Sequence, residues 1–151
     1  GVVRAGGSTV GPIRSGTLGL VDTLRTTAVA DTAHPNDTAP TDNATNVGRQ
    51  VPERHSRDAW IVVRNELADA GVSVTVTLFG STTGAAGSWR AIGQLNNGGA
   101  ITPTTNAGIA HTNRIYYAEA MPGALGWAWL YALVTGTLGQ STIVEVYGEI
   151  A

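Results

Sequence analysis

The feature that most constrains the fold is the alternation of apolar and polar side chains in the run 72–79, which is strict from Val72 to Leu78. Aliphatic side chains occupy every second position and hydroxyl side chains lie between them: Val72, Val74, Val76, Leu78 and Ser73, Thr75, Thr77. Consecutive side chains of a strand point to opposite faces, so a period of two predicts an antiparallel strand with one face in a core and the other in solvent.

Similar runs recur along the chain and are separated by turn-forming residues. The run at 60–67 is predicted to form a hairpin with 72–79 through the turn sequence ADAG. Further strands are predicted at 17–29, where Leu18, Leu20, Asp22 and Leu24 share one side, and around 89–92, 114–120, 125–134 and 141–150. About seven or eight strands without a helical period predict an all-β fold, an antiparallel β-sandwich or jelly-roll-like barrel.

The chain has the length of one domain, with 151 residues. Residues 1–16 are rich in Gly, Ser and Arg and are predicted to form an extended N-terminal arm, although the same composition is typical of a disordered terminus. Residues 17–151 are predicted to form a single β-sandwich domain. Within it, residues 31–52 contain three Pro, three Asp and three Asn, which predicts a long irregular loop.

Charge is scarce in this sequence. Charged residues make up 13% of the chain and the net charge is −2, which predicts neither nucleic-acid nor membrane partners. The longest apolar stretch, 124–134, is far shorter than a membrane span. The absence of Cys favours synthesis in a cytoplasm. A surface with so few charges predicts that neighbouring subunits cover part of it.

The sequence contains no recognisable catalytic motif. His55, Ser56 and Asp58 lie within four residues, but adjacent strand residues point to opposite faces and cannot converge on one substrate. Glu119, Glu145 and Glu149 are candidate acids with no sign of burial. We therefore predict that the chain is not an enzyme and that it needs no cofactor.

Metal binding has equally little support in the sequence. The three His residues are isolated, and no Cys is present. Asp31, Asp37 and Asp42 could gather around Ca²⁺, but Asp is also an ordinary turn residue. The turn interpretation is favoured, and no metal site is predicted.

The segment LGWAWLYALV at 125–134 is apolar on both faces when it is drawn as a strand. Trp127, Trp129 and Tyr131 share one face, and aliphatic residues occupy the other. Such a strand is either central in a two-sided core or lies against another subunit. We predict a subunit contact that includes these three residues, together with the residues of the arm: Val2, Val3, Arg4.

Two long stretches, DAWIVVRNELADAGVSVTVTLFGSTTGAAGSWRAIGQL and RIYYAEAMPGALGWAWLYALV, resemble capsid decoration (cementing) proteins of tailed bacteriophages. The resemblance implies a sandwich or jelly-roll core, a homo-oligomer (commonly a trimer), and terminal arms that cross the major capsid protein. It also implies a virion location after synthesis in the host cytoplasm. No catalytic residue is implied.

Sequence reasoning leaves two other functions open. The aromatic residues could form the platform of a carbohydrate- or surface-binding β-sandwich module, for which exposed Trp side chains would be diagnostic. Alternatively, the chain could be a self-assembling fibre or shell subunit, for which an unpaired edge strand would be diagnostic. The favoured interpretation is a non-enzymatic virion structural protein that decorates and stabilises a phage capsid as a symmetric oligomer.

Overall fold

The computed structural model describes residues 18–26, 31, 34–37, 48–52, 55–65, 72–102, 114–137 and 142–150. These residues form eight strands: β1 (Leu18–Arg25), β2 (Arg49–Gln50), β3 (His55–Asn65), β4 (Ser73–Ser81), β5 (Arg90–Gln94), β6 (Arg114–Met121), β7 (Trp129–Thr137) and β8 (Thr142–Ile150). Two short 3-10 turns, Leu95–Gly98 and Ala124–Gly126, complete the described structure.

The strands lie in two antiparallel sheets of four. The first sheet has the order β1-β8-β3-β6 and the second has the order β2-β7-β4-β5. One continuous core of aliphatic side chains joins the inner faces of the two sheets. The prediction of an all-β antiparallel sandwich with seven or eight strands is therefore confirmed.

Strand β4 follows the pattern that its sequence predicts. Val74, Val76 and Leu78 are buried in the core, whereas the threonines between them are partly exposed. The strand pairs with β7 on one side and β5 on the other, so it is central in the second sheet. Burying each aliphatic side chain stabilises the fold by about 1.5–3 kcal/mol, and this favours the observed face.

The predicted hairpin between residues 60–67 and 72–79 is wrong. Strand β3 pairs with β6 and β8 in the first sheet, whereas β4 belongs to the second sheet. Each strand directs its aliphatic face into the same core from opposite sides. Alternation determines which face of a strand is buried, but it does not determine which strand is its neighbour.

Strand β1 also differs from its prediction, because its leucines do not share one side. Leu18 and Leu20 are exposed, and Leu24 is buried in the core. The register with β8 shifts between Leu20 and Asp22 and again between Thr23 and Arg25. Each of these irregularities adds a residue on one strand and so reverses the side to which the following residues point.

The remaining boundaries shift by a few residues. Strand β2 lies inside the predicted loop 31–52 and pairs with β7. Strand β1 ends at Arg25, before the predicted end at residue 29, and β3 begins at His55, earlier than predicted. The predicted arm, residues 1–16, lies outside the described residues, so Val2, Val3 and Arg4 stay predictions.

The carboxylate of Asp31 links the two sheets. Its Oδ2 accepts hydrogen bonds from Nη1 of Arg25 on β1, at 2.6 Å, and from the backbone N–H of Val134 on β7, at 2.7 Å. Its Oδ1 accepts from the hydroxyl of Tyr131, at 3.0 Å. Burial lowers the pKa of Arg25, and the charge of Asp31 opposes that shift.

Two further carboxylates connect the sheets at their edges. Asp22 on β1 accepts from Nε and Nη2 of Arg49 on β2, at 3.0 and 3.1 Å. At the other edge, Glu119 on β6 accepts from the backbone N–H of Asn96, at 2.8 Å, in the turn that follows β5. Both open sides of the sandwich therefore carry a polar contact between one sheet and the other.

We expect Asp31→Asn to lower the free energy of unfolding by about 3–5 kcal/mol, because it removes the negative charge beside a buried guanidinium. Asp22→Asn is the matched control and should cost no more than about 1 kcal/mol, since its ion pair is exposed. The side chains are 0% and 8% exposed in the Arg25–Asp31 pair but 43% and 21% exposed in the Arg49–Asp22 pair. Equal losses for the two variants in urea unfolding would contradict this account.

A second prediction concerns Gly80, whose position on β4 lies under the indole ring of Trp127. A Cβ atom at Gly80 would overlap ring carbons of Trp127, so Gly80→Ala should destabilise the fold by about 1–3 kcal/mol through overpacking. Gly126→Ala is the control, because the nearest atom to its Cβ would be Cδ of Arg57 at 4.0 Å. Neither glycine has a positive φ, so the difference in urea midpoints reports packing alone. A Gly80→Ala midpoint equal to that of the control would refute the overlap.

Candidate functional site

The large hydrophobic side chains that are exposed in the described part of the chain all lie on one surface. They are Leu18 at 49%, Leu20 at 52% and Trp60 at 42% exposure. All three point outward from the first sheet, away from the core. We name this surface the apolar face and define it by six residues: Leu18, Leu20, Trp60, Ala118, Ala120 and Tyr147.

The register of the first sheet aligns these residues across the strands. Leu20 on β1 is paired with Tyr147 on β8, Tyr147 with Trp60 on β3, and Trp60 with Ala120 on β6. Directly opposed residues on one face have Cβ atoms about 4.5–5.5 Å apart, so neighbouring side chains in this row are close enough to touch. The result is a continuous apolar row that crosses all four strands.

Charged residues also lie on this side of the sheet: Glu149 is the register partner of Leu18, and Glu145 forms an ion pair with Arg64. Nε of Arg64 donates to Oε1 of Glu145 at 2.9 Å, and Nη2 donates to Oε2 at 3.4 Å. Tyr147 lies beside this pair, and burial is the largest cause that raises the pKa of its phenol, followed by the negative charge of Glu145. The centre of the face therefore presents little net charge to a partner.

The outer face of the second sheet, by contrast, carries an aromatic cluster that is covered by its own chain. Trp89 is 1% exposed and packs with Phe79 and Tyr131 on this side. Asn36 accepts from the backbone N–H of Trp89 at 2.8 Å and donates to its carbonyl at 3.0 Å. The ring of His34 contacts Phe79 edge-on, with centroids 4.8 Å apart. The described segment 34–37 thus covers the aromatic cluster on this side, whereas Thr135 further along β7 is exposed.

The aromatic residues predicted at the contact lie in two different environments. Trp127 precedes β7 and packs against the core, so it does not share a face with the other two. Trp129 is half-buried with its ring against Gly84, and Tyr131 is 5% exposed beside Trp89. Strand β7 is apolar on both faces, as predicted, and it is central between β2 and β4. The subunit contact of these residues stays a prediction.

Sequence reasoning missed the residues that form the apolar face. Residues 60–63 are apolar without interruption, so alternation could not indicate that Trp60 is exposed while Ile61 and Val63 are buried. The sequence predicts Leu18 and Leu20 on the same side as Leu24, because the bulges of β1 leave no mark in it. Only the strand register of the first sheet shows that these residues share one face.

Two of the three candidate acids, Glu119 and Glu145, are engaged in structural contacts. Oε1 of Glu119 accepts from the hydroxyl of Tyr117, and this hydrogen bond is the main cause that raises the pKa of Tyr117. Glu145 is held by Arg64. Within the described ranges, no three His, Cys, Asp or Glu residues gather closely enough to hold a metal ion. The same ranges contain no helix of the length and hydropathy that a membrane span needs.

The structure thus defines a β-sandwich protein with a covered aromatic cluster on one sheet and exposed large hydrophobic side chains on the other. Comparisons with protein-family models, curated proteins and solved structures found no match. The residues of the apolar face are the basis of the proposed function.

The raised pKa of Tyr147 leads to a prediction at alkaline pH. The neutral phenol is favoured in the folded state, so its contribution to stability is present below the pKa of unfolded tyrosine and is lost as pH rises through the higher folded pKa. Tyr147→Phe has no ionising group and should lose less stability than the unmodified chain between pH 8 and a pH above about 10. Urea unfolding at both pH values measures this. An identical loss in the two proteins would show that Tyr147 does not contribute.

Proposed function

We propose that this chain is a non-enzymatic structural protein of a virion, which decorates and stabilises a bacteriophage capsid as a symmetric oligomer. The observation that supports this proposal is the apolar face, where every exposed large hydrophobic side chain of the described residues is concentrated. Single exposed apolar residues are ordinary on protein surfaces, but contiguous patches mark sites of protein association.

The residues of the apolar face are of the types that form binding hot spots in protein interfaces. Trp and Tyr side chains are enriched at the positions that contribute most to binding, and Trp60 and Tyr147 are paired directly across β3 and β8. Leu20 extends the same row at the edge of the sheet. Charged residues are depleted at interface centres, which agrees with the internally neutralised Arg64–Glu145 pair.

The strand order supports a jelly-roll assignment within this proposal. The antiparallel pairs β1-β8 and β3-β6 lie in one sheet, and β2-β7 and β4-β5 lie in the other. Such an order results when a long hairpin is wound into two Greek keys, as in jelly rolls. Jelly rolls are found in viral capsid domains and also in lectins.

A carbohydrate-binding module is the second candidate, and the exposure of Trp60 favours it. A Trp ring at 42% exposure beside Tyr147 offers an aromatic surface on which a sugar ring can stack. This alternative uses the same residues, but it requires a small ligand in place of a protein surface.

Co-sedimentation with empty capsids tests the proposal directly. The purified chain should bind saturably to capsids assembled from the major capsid protein encoded in the same genome. Trp60→Arg should weaken this binding at least about tenfold, the loss expected when an interface centre is disrupted by 1.4 kcal/mol or more.

Thr135→Arg is the matched control, because Thr135 is an exposed strand residue on the second sheet, and it should bind as the unmodified chain does. Failure of the unmodified chain to bind capsids, together with glycan binding that Trp60→Arg abolishes, would replace the proposal with the carbohydrate-binding function.

A further inference from the structure

The turn that follows β5 contains the one Asn-Gly dipeptide of the sequence, Asn97–Gly98. Both residues belong to the 3-10 turn Leu95–Gly98, and Asn97 is exposed to solvent. An Asn side-chain amide that precedes Gly is chemically labile, because Gly has no Cβ to hinder the approach of its backbone nitrogen to the amide carbon. The dipeptide and its exposure therefore make Asn97 a candidate for covalent modification.

The reaction open to this dipeptide is an intramolecular displacement followed by hydrolysis. The backbone nitrogen of Gly98 loses its proton and attacks Cγ of Asn97, and the new N–Cγ bond closes a succinimide ring. The bond between Cγ and Nδ2 breaks, and Nδ2 leaves as ammonia after it has taken up the released proton. Water then opens the ring at either carbonyl carbon and gives aspartate or isoaspartate. Water is consumed and ammonia is released, with no change of oxidation state.

The backbone conformation of the folded turn opposes the first step. Asn97 has φ 51° and ψ 32°, in the left-handed region. At this ψ, the tetrahedral geometry of Cα places the nitrogen of Gly98 nearly trans to Cβ of Asn97 across the Cα–C bond. Ring closure needs these two atoms on the same side of that bond. The ψ torsion of Asn97 must therefore rotate through most of a half-turn before the nitrogen reaches Cγ.

Hydrogen bonds on both sides of Asn97 hold the turn in this conformation. The backbone N–H of Gly99 donates to the carbonyl of Asn96 at 2.8 Å, and this bond closes a ring that contains Asn97 and Gly98. The backbone N–H of Asn96 donates to Oε1 of Glu119 on β6, at 2.8 Å, and so ties the turn to the other sheet. Rotation about ψ of Asn97 moves the peptide group of Gly98 and breaks the first of these bonds.

We propose that Asn97 is a site of spontaneous deamidation whose rate is set by opening of this turn, and that Glu119 keeps the turn closed. Local opening exposes reactive backbone groups without global unfolding. The isoaspartate product inserts a methylene group into the backbone of the hydrogen-bonded ring, and either product adds a negative charge. The modification therefore loosens the contact between the two sheets at this edge. The proposal is independent of capsid binding.

Mass spectrometry of the purified chain, sampled over time at neutral pH in buffer and in guanidinium chloride, tests the proposal. Trypsin releases the turn in the peptide that follows Arg90 and ends at Arg114. Electron-transfer fragmentation of this peptide locates the converted residue and distinguishes aspartate from isoaspartate. Asn97 should convert at least about tenfold more slowly in the folded chain than in denaturant, because the turn must open first. Asn96, which precedes Asn97 and not Gly, should convert far more slowly than Asn97 in denaturant.

Glu119→Ala removes the acceptor that ties Asn96 to the other sheet. It should accelerate conversion of Asn97 in the folded chain by about threefold or more, as expected for the loss of one hydrogen bond. Glu149→Ala is the matched control, because it removes the same side chain from β8 of the same sheet, and its rate should equal that of the unmodified chain. Glu119→Gln keeps a side-chain oxygen as acceptor and should convert more slowly than Glu119→Ala. Circular dichroism verifies that each variant is folded.

The comparison of buffer with denaturant uses the unmodified chain and does not depend on the folding of any variant. Equal rates in the two solvents would overturn the proposal, since the turn would then not control the reaction. An Asn97 that stays unconverted in denaturant would overturn the site itself. A Glu119→Ala rate equal to that of Glu149→Ala would show that Glu119 does not keep the turn closed.

Discussion

The stacking of the two sheets depends on the buried carboxylate of Asp31, which holds the end of β1 against the centre of β7. It neutralises Arg25 and accepts a hydrogen bond from the hydroxyl of Tyr131. It also accepts a hydrogen bond from the backbone N–H of Val134, as a carbonyl of a neighbouring strand would. Because Asp31 is fixed at β7, the next described residues, 34–37, lie over the outside of the second sheet and bind Trp89. Asp31 thus joins β1 to β7 close to the segment that covers the aromatic cluster of the second sheet.

This cover makes the two sides of the sandwich unequal. The second sheet buries its outer aromatic cluster under its own chain, and the first sheet leaves Leu18, Leu20 and Trp60 exposed. A chain with 13% charged residues has few charged side chains with which to shield such a face. Association through the first sheet removes that apolar surface from water at about 25 cal/mol per Å², and this is the physical basis of the proposed function.

The sequence was informative where a strand has one polar face and uninformative where it has none. The threonines of β4 indicated its buried side, and the fold class followed from several such runs. The neighbours of β3 could not be predicted, since its partners β6 and β8 come about fifty residues or more later in the chain. The outward leucines of β1 depend on two register shifts, and the row through Trp60 depends on the pairing of four strands.

The central claim is that the chain assembles as a symmetric oligomer, and the absolute mass of the unmodified chain in solution tests it most directly. Light scattering coupled to gel filtration, over a dilution series, should show a mass that rises with concentration from the 15.5 kDa of one chain towards a closed oligomer. A mass of one chain at every concentration would contradict the account.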